Sequence, residues 1–173
     1  MKHSFTIIYC VVILLVGAVI GYLICQSSCN SAPPINPNKK GASVLVLGCI
    51  DPRFANALGW HLTHSEELHM DYDLFTLAGA SLGVVQDTYP HWGETFENHV
   101  DLAIKLHNIE EVWAFDHMDC GMYKATLGLK DDNDPQIHVN NLQELQTKLK
   151  KKYPTLGFRG YIMGTDSSIS WVV

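Results

Sequence analysis

The stretch VLVLGCIDPRF, residues 44–54, decides how this chain is read. Val44 to Leu47 are four large aliphatic residues in a row, the pattern of a strand buried on both faces of a sheet. The strand then runs into a thiol, a carboxylate and a guanidinium at alternate positions: Cys49, Asp51 and Arg53. The chain has only two arginines, and one of them stands here. In open α/β sheets, ligand sites lie beyond the carboxyl ends of the strands. The three residues therefore read as candidates for a site.

Working outward, apolar runs of strand length alternate with helical patterns from residue 42 onward. Predicted strands cover 43–49, 73–78, 111–116 and 158–163, with a last one at 169–173. Predicted helices cover about 53–63, 94–107 and 140–152. Phe96, Val100, Ala103, Ile104 and His107 form one face of the second helix, and Leu142, Leu145 and Leu149 one face of the third. Asn141 and Glu144 resemble a capping box, and Pro154 marks a stop. Residues 80–93 read as a long loop. The alternation predicts an α/β fold with a mostly parallel central sheet of four to five strands and flanking helices. The turn signal TDSS (165–168) predicts a hairpin and an antiparallel final strand.

The third predicted strand ends in FDHMDCG, which places His117 and Cys120 three residues apart. If it neighbours the first strand, Cys49, His117 and Cys120 make a zinc set with one tetrahedral position open. Taken singly, each residue has a plainer reading: a Cys closing a buried strand as a small hydrophobe, a hydrogen-bonded His, a surface ion pair between Asp51 and Arg53. The conjunction at two strand ends favours metal, with Asp51 and Arg53 acting on whatever fills the open position. A phosphate-cradling cysteine loop is excluded. It needs amides between its Cys and Arg, and Ile50-Asp51-Pro52 offers an anion and a residue without an N–H.

The front of the chain is different. Phe5 to Cys25 is a 21-residue run with no charge and no Asn or Gln. At about 1.5 Å per residue it spans a hydrocarbon core of roughly 30 Å. It is predicted as one transmembrane helix, with a cleaved signal peptide as the competing reading. The organisation expected is an anchor at 1–25, a Ser/Asn/Pro-rich linker at 26–41 and a zinc domain at 42–173, in a single-pass membrane protein. Lys2 on one side and Lys39 and Lys40 on the other leave the orientation open. Beyond Lys2 the chain holds 11 basic and 18 acidic residues, which argues against nucleic acid as a partner. The one basic cluster, KLKKK at 148–152, falls where a helix should end and suits its dipole. Of five cysteines only Cys49 and Cys120 lie in the globular part, so no disulfide framework is expected.

The two motifs, CIDPR and HMDCG, resemble those of the β-class carbonic anhydrases. The stretch TFENHVDLAIKLHNIEEVWAFDHMDCGMY is similar to that family's helix, turn, strand and metal loop in unbroken order. LAGAS (77–81) falls where the family has an Ala-Gly turn, and the resemblance covers about residues 42–125. It departs where Thr76-Leu77 stands in place of the usual Arg-Asn and Asp116 in place of the usual Gly, and the anchor and linker stand where many members have N-terminal helices that wrap a partner subunit. The resemblance implies Zn2+ on Cys49, His117 and Cys120, and reversible hydration of CO2 to bicarbonate by hydroxide held on the zinc. It implies Asp51 as orienting carboxylate, Arg53 as its partner, and a homodimer or higher homo-oligomer. Relatives that hydrolyse carbonyl sulfide or carbon disulfide use the same set, and a non-catalytic zinc module is a third possibility. Leu77, Val84, Val85 and Phe54 are candidates for apolar lining. His61, His64, His69 and His91 are the histidines from which a proton relay would be drawn.

Overall fold

A computed structural model describes residues 35–173, together with Val16, Gly17 and Val19. The chain divides between Asn38 and Lys39 into two units, and the fold described is that of the second. The apolar run Phe5–Cys25 lies outside the described residues except for those three. Among the described residues no helix is long and apolar enough to cross a membrane.

Five strands form one sheet: β1 (Val44–Gly48), β2 (Tyr72–Thr76), β3 (Glu111–His117), β4 (Gly157–Met163) and β5 (Ile169–Trp171). Their order is β2-β1-β3-β4-β5. The first four are parallel and β5 returns antiparallel to β4. Every residue of β1 is buried, as four consecutive aliphatics require at the middle of a sheet covered on both faces.

One face packs Leu45, Leu47, Val112 and Ala114 against α3 (Pro90–His107) and α5 (Pro135–Lys152) through Phe96, Val100, Leu142 and Leu145. The other packs Val44, Val46, Trp113 and Phe115 against Phe54 and Leu58 of α1 (Pro52–Trp60) and Leu62 of the π-helical turn His61–Ser65 that continues it. Two short helices complete the set, α2 (Ser81–Val85) and α4 (Gly121–Leu127).

Three expectations need correction. The segment 80–93 is not a loop, since it holds α2 and the first turn of α3. Helix α5 starts five residues before the expected 140: Asp134, not Asn141, is its N-cap, accepting from Gln136 N at 2.9 Å, with Pro135 at N1. Asn141 instead donates its side-chain amide to Ile137 O within the helix. Proline at the first helical position supplies the right φ and lacks an N–H that has no partner there, so Pro90 and Pro135 open helices. The lysines at the end of α5 do more than meet the dipole. Lys148 pairs with Glu97, and Lys152 with Glu97 and Asp101, tying α5 to α3.

Candidate metal centre

The parallel pairing of β1 with β3 sets Gly48 beside Phe115. The chain leaving β1 at Cys49 therefore meets the end of β3 at His117. Cys49 Sγ, one His117 ring nitrogen and Cys120 Sγ all lie within 4.8 Å of one another. His117 and Cys120 are buried and Cys49 half-buried. His117 Nδ1 lies 3.0 Å from Met118 O, which makes Nδ1 the donor and leaves Nε2 with a free lone pair. That Nε2 is buried and has no hydrogen-bond partner. An orphaned imidazole nitrogen facing two thiols is what a metal would satisfy. The donor set, two sulfurs and one nitrogen with a fourth position left over, fits Zn2+.

Local structure aims each ligand. Phe54 stacks on the His117 ring at 4.1 Å between centroids and fixes its plane. Gly79, at φ +77°, donates its N–H to Cys49 Sγ at 3.3 Å. A β-carbon there would come within 2.8 Å of Met122 Cγ, so glycine is required. Cys120 is the N-cap residue of α4 and follows Asp119, which sits at φ +60°.

The two thiols differ in how easily they ionise. The Cys49 thiol is pulled well below its usual range by the hydrogen bond from Cys120, against the effect of burial, with His117 and the Gly79 and Asp51 backbones adding to the pull. Cys120 is pushed up, because a second thiolate beside the first is costly and the site is buried. A divalent cation removes that repulsion, so loading the site releases protons. Burial lowers the pKa of His117, yet the Cys49 thiolate, the Met118 carbonyl and Asp51 outweigh it and the metal-free ring is raised.

Asp51 and Arg53 stand at the open side. Asp51 is the N-cap of α1, accepting from Arg53 N at 3.0 Å, and Pro52 fills N1. The CIDPR spelling is thus a helix start as well as a site. The Arg53 guanidinium grips the Asp51 carboxylate through Nε at 3.0 and 3.1 Å and Nη2 at 2.7 Å. Asp51 Oδ2 lies 4.0 Å from His117 Nε2. Arg53 holds the Asp51 carboxyl at about 2.

Sequence reasoning missed Asp119, although it lies between the two ligands of HMDC. It accepts from Arg53 Nη1 at 2.9 Å, its carbonyl accepts from Nη2 at 3.1 Å, and Lys124 Nζ reaches it at 2.6 Å. Lys124 and Arg53 hold its carboxyl at about 2. Arg53 therefore joins the first metal loop to the second.

Val84 belongs to the main core, and Leu77 and Val85 pack against it half-buried. Among the four histidines, His61 lines an open groove with Arg53, Trp60 and Ser65. His64 is exposed and stacks on Trp60, and His69 and His91 are exposed.

No protein-family profile matches the chain. An uncharacterized protein of Rickettsia bellii is 31% identical over 135 residues, covering 76% of this chain and 82% of the relative. One of Rickettsia conorii is 30% identical over 135 residues, covering 76% and 72%. Among solved structures, the carbonic anhydrase of Streptococcus mutans superposes with a TM-score of 0.52 at 19% identity, covering 92% of this chain and 95% of that one. The β-carbonic anhydrase isoform I of Trichomonas vaginalis gives 0.54 at 12% identity, covering 92% and 96%. A tetrameric β-carbonic anhydrase of Sordaria macrospora gives 0.54 at 12%, covering 92% and 95%. The chain belongs to one family with the two rickettsial proteins, and it has the fold of the β-carbonic anhydrases.

Proposed function

We propose that the protein is a zinc lyase that reversibly hydrates CO2 to bicarbonate. The observation that carries the reading is the His117 ring, which sets one nitrogen within 4.8 Å of the Cys49 and Cys120 sulfurs and its buried, unpartnered Nε2 4.0 Å from the Arg53-gripped Asp51 carboxylate. Cys49, His117 and Cys120 would hold zinc, which lowers the pKa of water toward neutrality and so makes it a nucleophile.

The other residues orient and exclude. A carboxyl held at about 2 is ionised at every working pH, so Asp51 accepts a hydrogen bond from water and does not store its proton. Arg53, shared with Asp119, keeps that carboxylate turned toward itself. A structural zinc needs no such pair, which favours an enzyme over a scaffold. Hydration of one CO2 yields one bicarbonate and one proton, and the proton leaves to buffer. Stopped-flow CO2 hydration by the full-length chain in detergent, with zinc measured on the same sample, tests the reading. The outcome expected is hydration that falls with chelation and returns with zinc; a zinc-loaded protein without hydration contradicts it.

Membrane attachment is part of the proposal. The uncharged run Phe5–Cys25 supports a single-pass anchor, and full-length protein should resist extraction by carbonate. Homo-oligomerisation is supported by exposed Leu74 on the edge strand β2 beside exposed Leu102 and Leu106 of α3. Light scattering after chromatography in detergent reads the assembly state.

A further inference from the structure

Asp116, a residue at which the chain departs from the resembling motif, lies at the centre of a buried polar network. Asp116, His138 and Asp132 have fully buried side chains. His138 Nδ1 lies 3.3 Å from Asp116 Oδ2, and Nε2 lies 3.1 Å from both oxygens of Asp132. The imidazole thus meets a carboxylate at each ring nitrogen. Asp116 also accepts from Ser81 N at 2.9 Å, Ser81 Oγ at 2.6 Å and Tyr123 OH at 2.5 Å. Asp132 accepts from Cys120 N at 2.8 Å.

Both ends of this chain of contacts terminate on turns that aim a metal ligand, and each turn is strained. Ala80 stands at φ +42°, between Gly79, whose amide reaches Cys49 Sγ, and Ser81, which Asp116 binds twice. Asp119 stands at φ +60° directly before Cys120, and its N–H donates to Asp132 O at 3.1 Å. A residue with a β-carbon is unfavourable at such φ values and persists only where its surroundings restrain it. Asp116 itself precedes the third ligand, His117, on β3. One buried assembly therefore abuts all three ligands.

We propose that His138 is the positioning residue of the metal centre. By bridging Asp116 and Asp132 it locks the Gly79–Ser81 turn and the Asp119–Cys120 turn in the geometry that presents two sulfurs to one ion. Without the bridge, two buried carboxylates face each other with nothing basic between them, and each turn is free to relax away from its strained φ. Helix α5 gains a function here that its apolar face does not reveal. The proposal rests on the metal reading and concerns how the ligands are held, so metal affinity and geometry are its readouts.

The test uses full-length protein in detergent, with zinc affinity measured by competition against a chromophoric chelator and geometry read from the absorption of the Co2+-substituted protein. His138→Gln and Asp132→Ala should weaken zinc by roughly 10- to 100-fold, the usual effect of removing an outer partner of a ligand, and should alter the cobalt ligand-field bands. Asp132→Asn keeps an oxygen able to accept from both Cys120 N and His138, and should recover most of the affinity. If a variant unfolds without metal, the zinc concentration at which it refolds reads the same affinity. Wild-type affinity and cobalt spectrum in both His138→Gln and Asp132→Ala overturn the proposal, even if both lower thermal stability. Equal losses in Asp132→Asn and Asp132→Ala also overturn it. A wild-type chain that binds neither zinc nor cobalt brings down the metal reading and this proposal together.

Discussion

Two basic side chains each sit between two aspartates beside the same three ligands, and their surroundings make them different devices. Arg53 lies between Asp51 and Asp119 with half of its side chain, 52%, in water. His138 lies between Asp116 and Asp132 with every member at 0% exposure. An exposed pair contributes little to stability, because water solvates the ions nearly as well as they solvate each other and salt screens them. The wet cluster is therefore free to serve chemistry, and losing it should leave the fold intact. The buried cluster is shut off from bulk solvent, and removing one member leaves a buried polar group without its partner.

The largest effect that sharpens this contrast is removal of a ligand that both clusters serve. Cys120→Ser should fall from about one zinc per chain to none by elemental analysis and should unfold at lower temperature, since the binding energy of a protein-held zinc contributes to folding. Full zinc occupancy in that variant would break the comparison at its centre.

Next comes Arg53→Ala. It should keep its zinc and lose only a little melting temperature while kcat/KM for CO2 hydration drops by roughly 100-fold, the scale of effect of misplacing an orienting group by about 1 Å. Loss of zinc from this variant would mean that the wet cluster also holds the metal. Smaller again is the response to salt. Raising ionic strength from about 0.01 to about 1 M shortens the screening length from roughly 30 to 3 Å, so hydration should weaken modestly while zinc affinity, governed by the buried cluster, stays flat.

The smallest effect concerns acid. Arg53 is the main cause of the depressed Asp51 carboxyl, and Lys124 comes before Arg53 for Asp119. A carboxyl whose folded pKa is about 2 and whose unfolded value is about 3.9 adds stability above about pH 4, and that stability is lost as pH falls toward 2. In Arg53→Ala, carbon-13 NMR should show Asp51 titrating near its ordinary value, with Asp119 still depressed by Lys124. An unmoved Asp51 would contradict the pairing.

How much of this was legible depends on where the information sits along the chain. The four parallel strands could be read because Val44–Leu47 and its counterparts are local apolar runs, and CIDPR and HMDCG are local spellings. Helix α2 has only five residues, too few for a periodicity, and α4 has seven. The starts at Pro90 and Pro135 lie ahead of the apolar faces that begin at Phe96 and Leu142, so periodicity alone begins those helices too late. Asp119 was visible between its two ligands, yet its tie to Arg53 joins residues 66 apart. His138 had no local signal at all: a histidine on a polar helix becomes the bridge between two carboxylates only once α5 packs against the end of β3.

The account stands or falls on chemistry at Cys49, His117 and Cys120, so the most direct measurement is stopped-flow CO2 hydration by full-length protein alongside its zinc content. Wild type should carry about one zinc per chain and hydrate CO2, and Arg53→Ala should carry the same zinc with hydration lowered by roughly 100-fold. Equal hydration by the two zinc-loaded proteins, or none by the wild type, would contradict it.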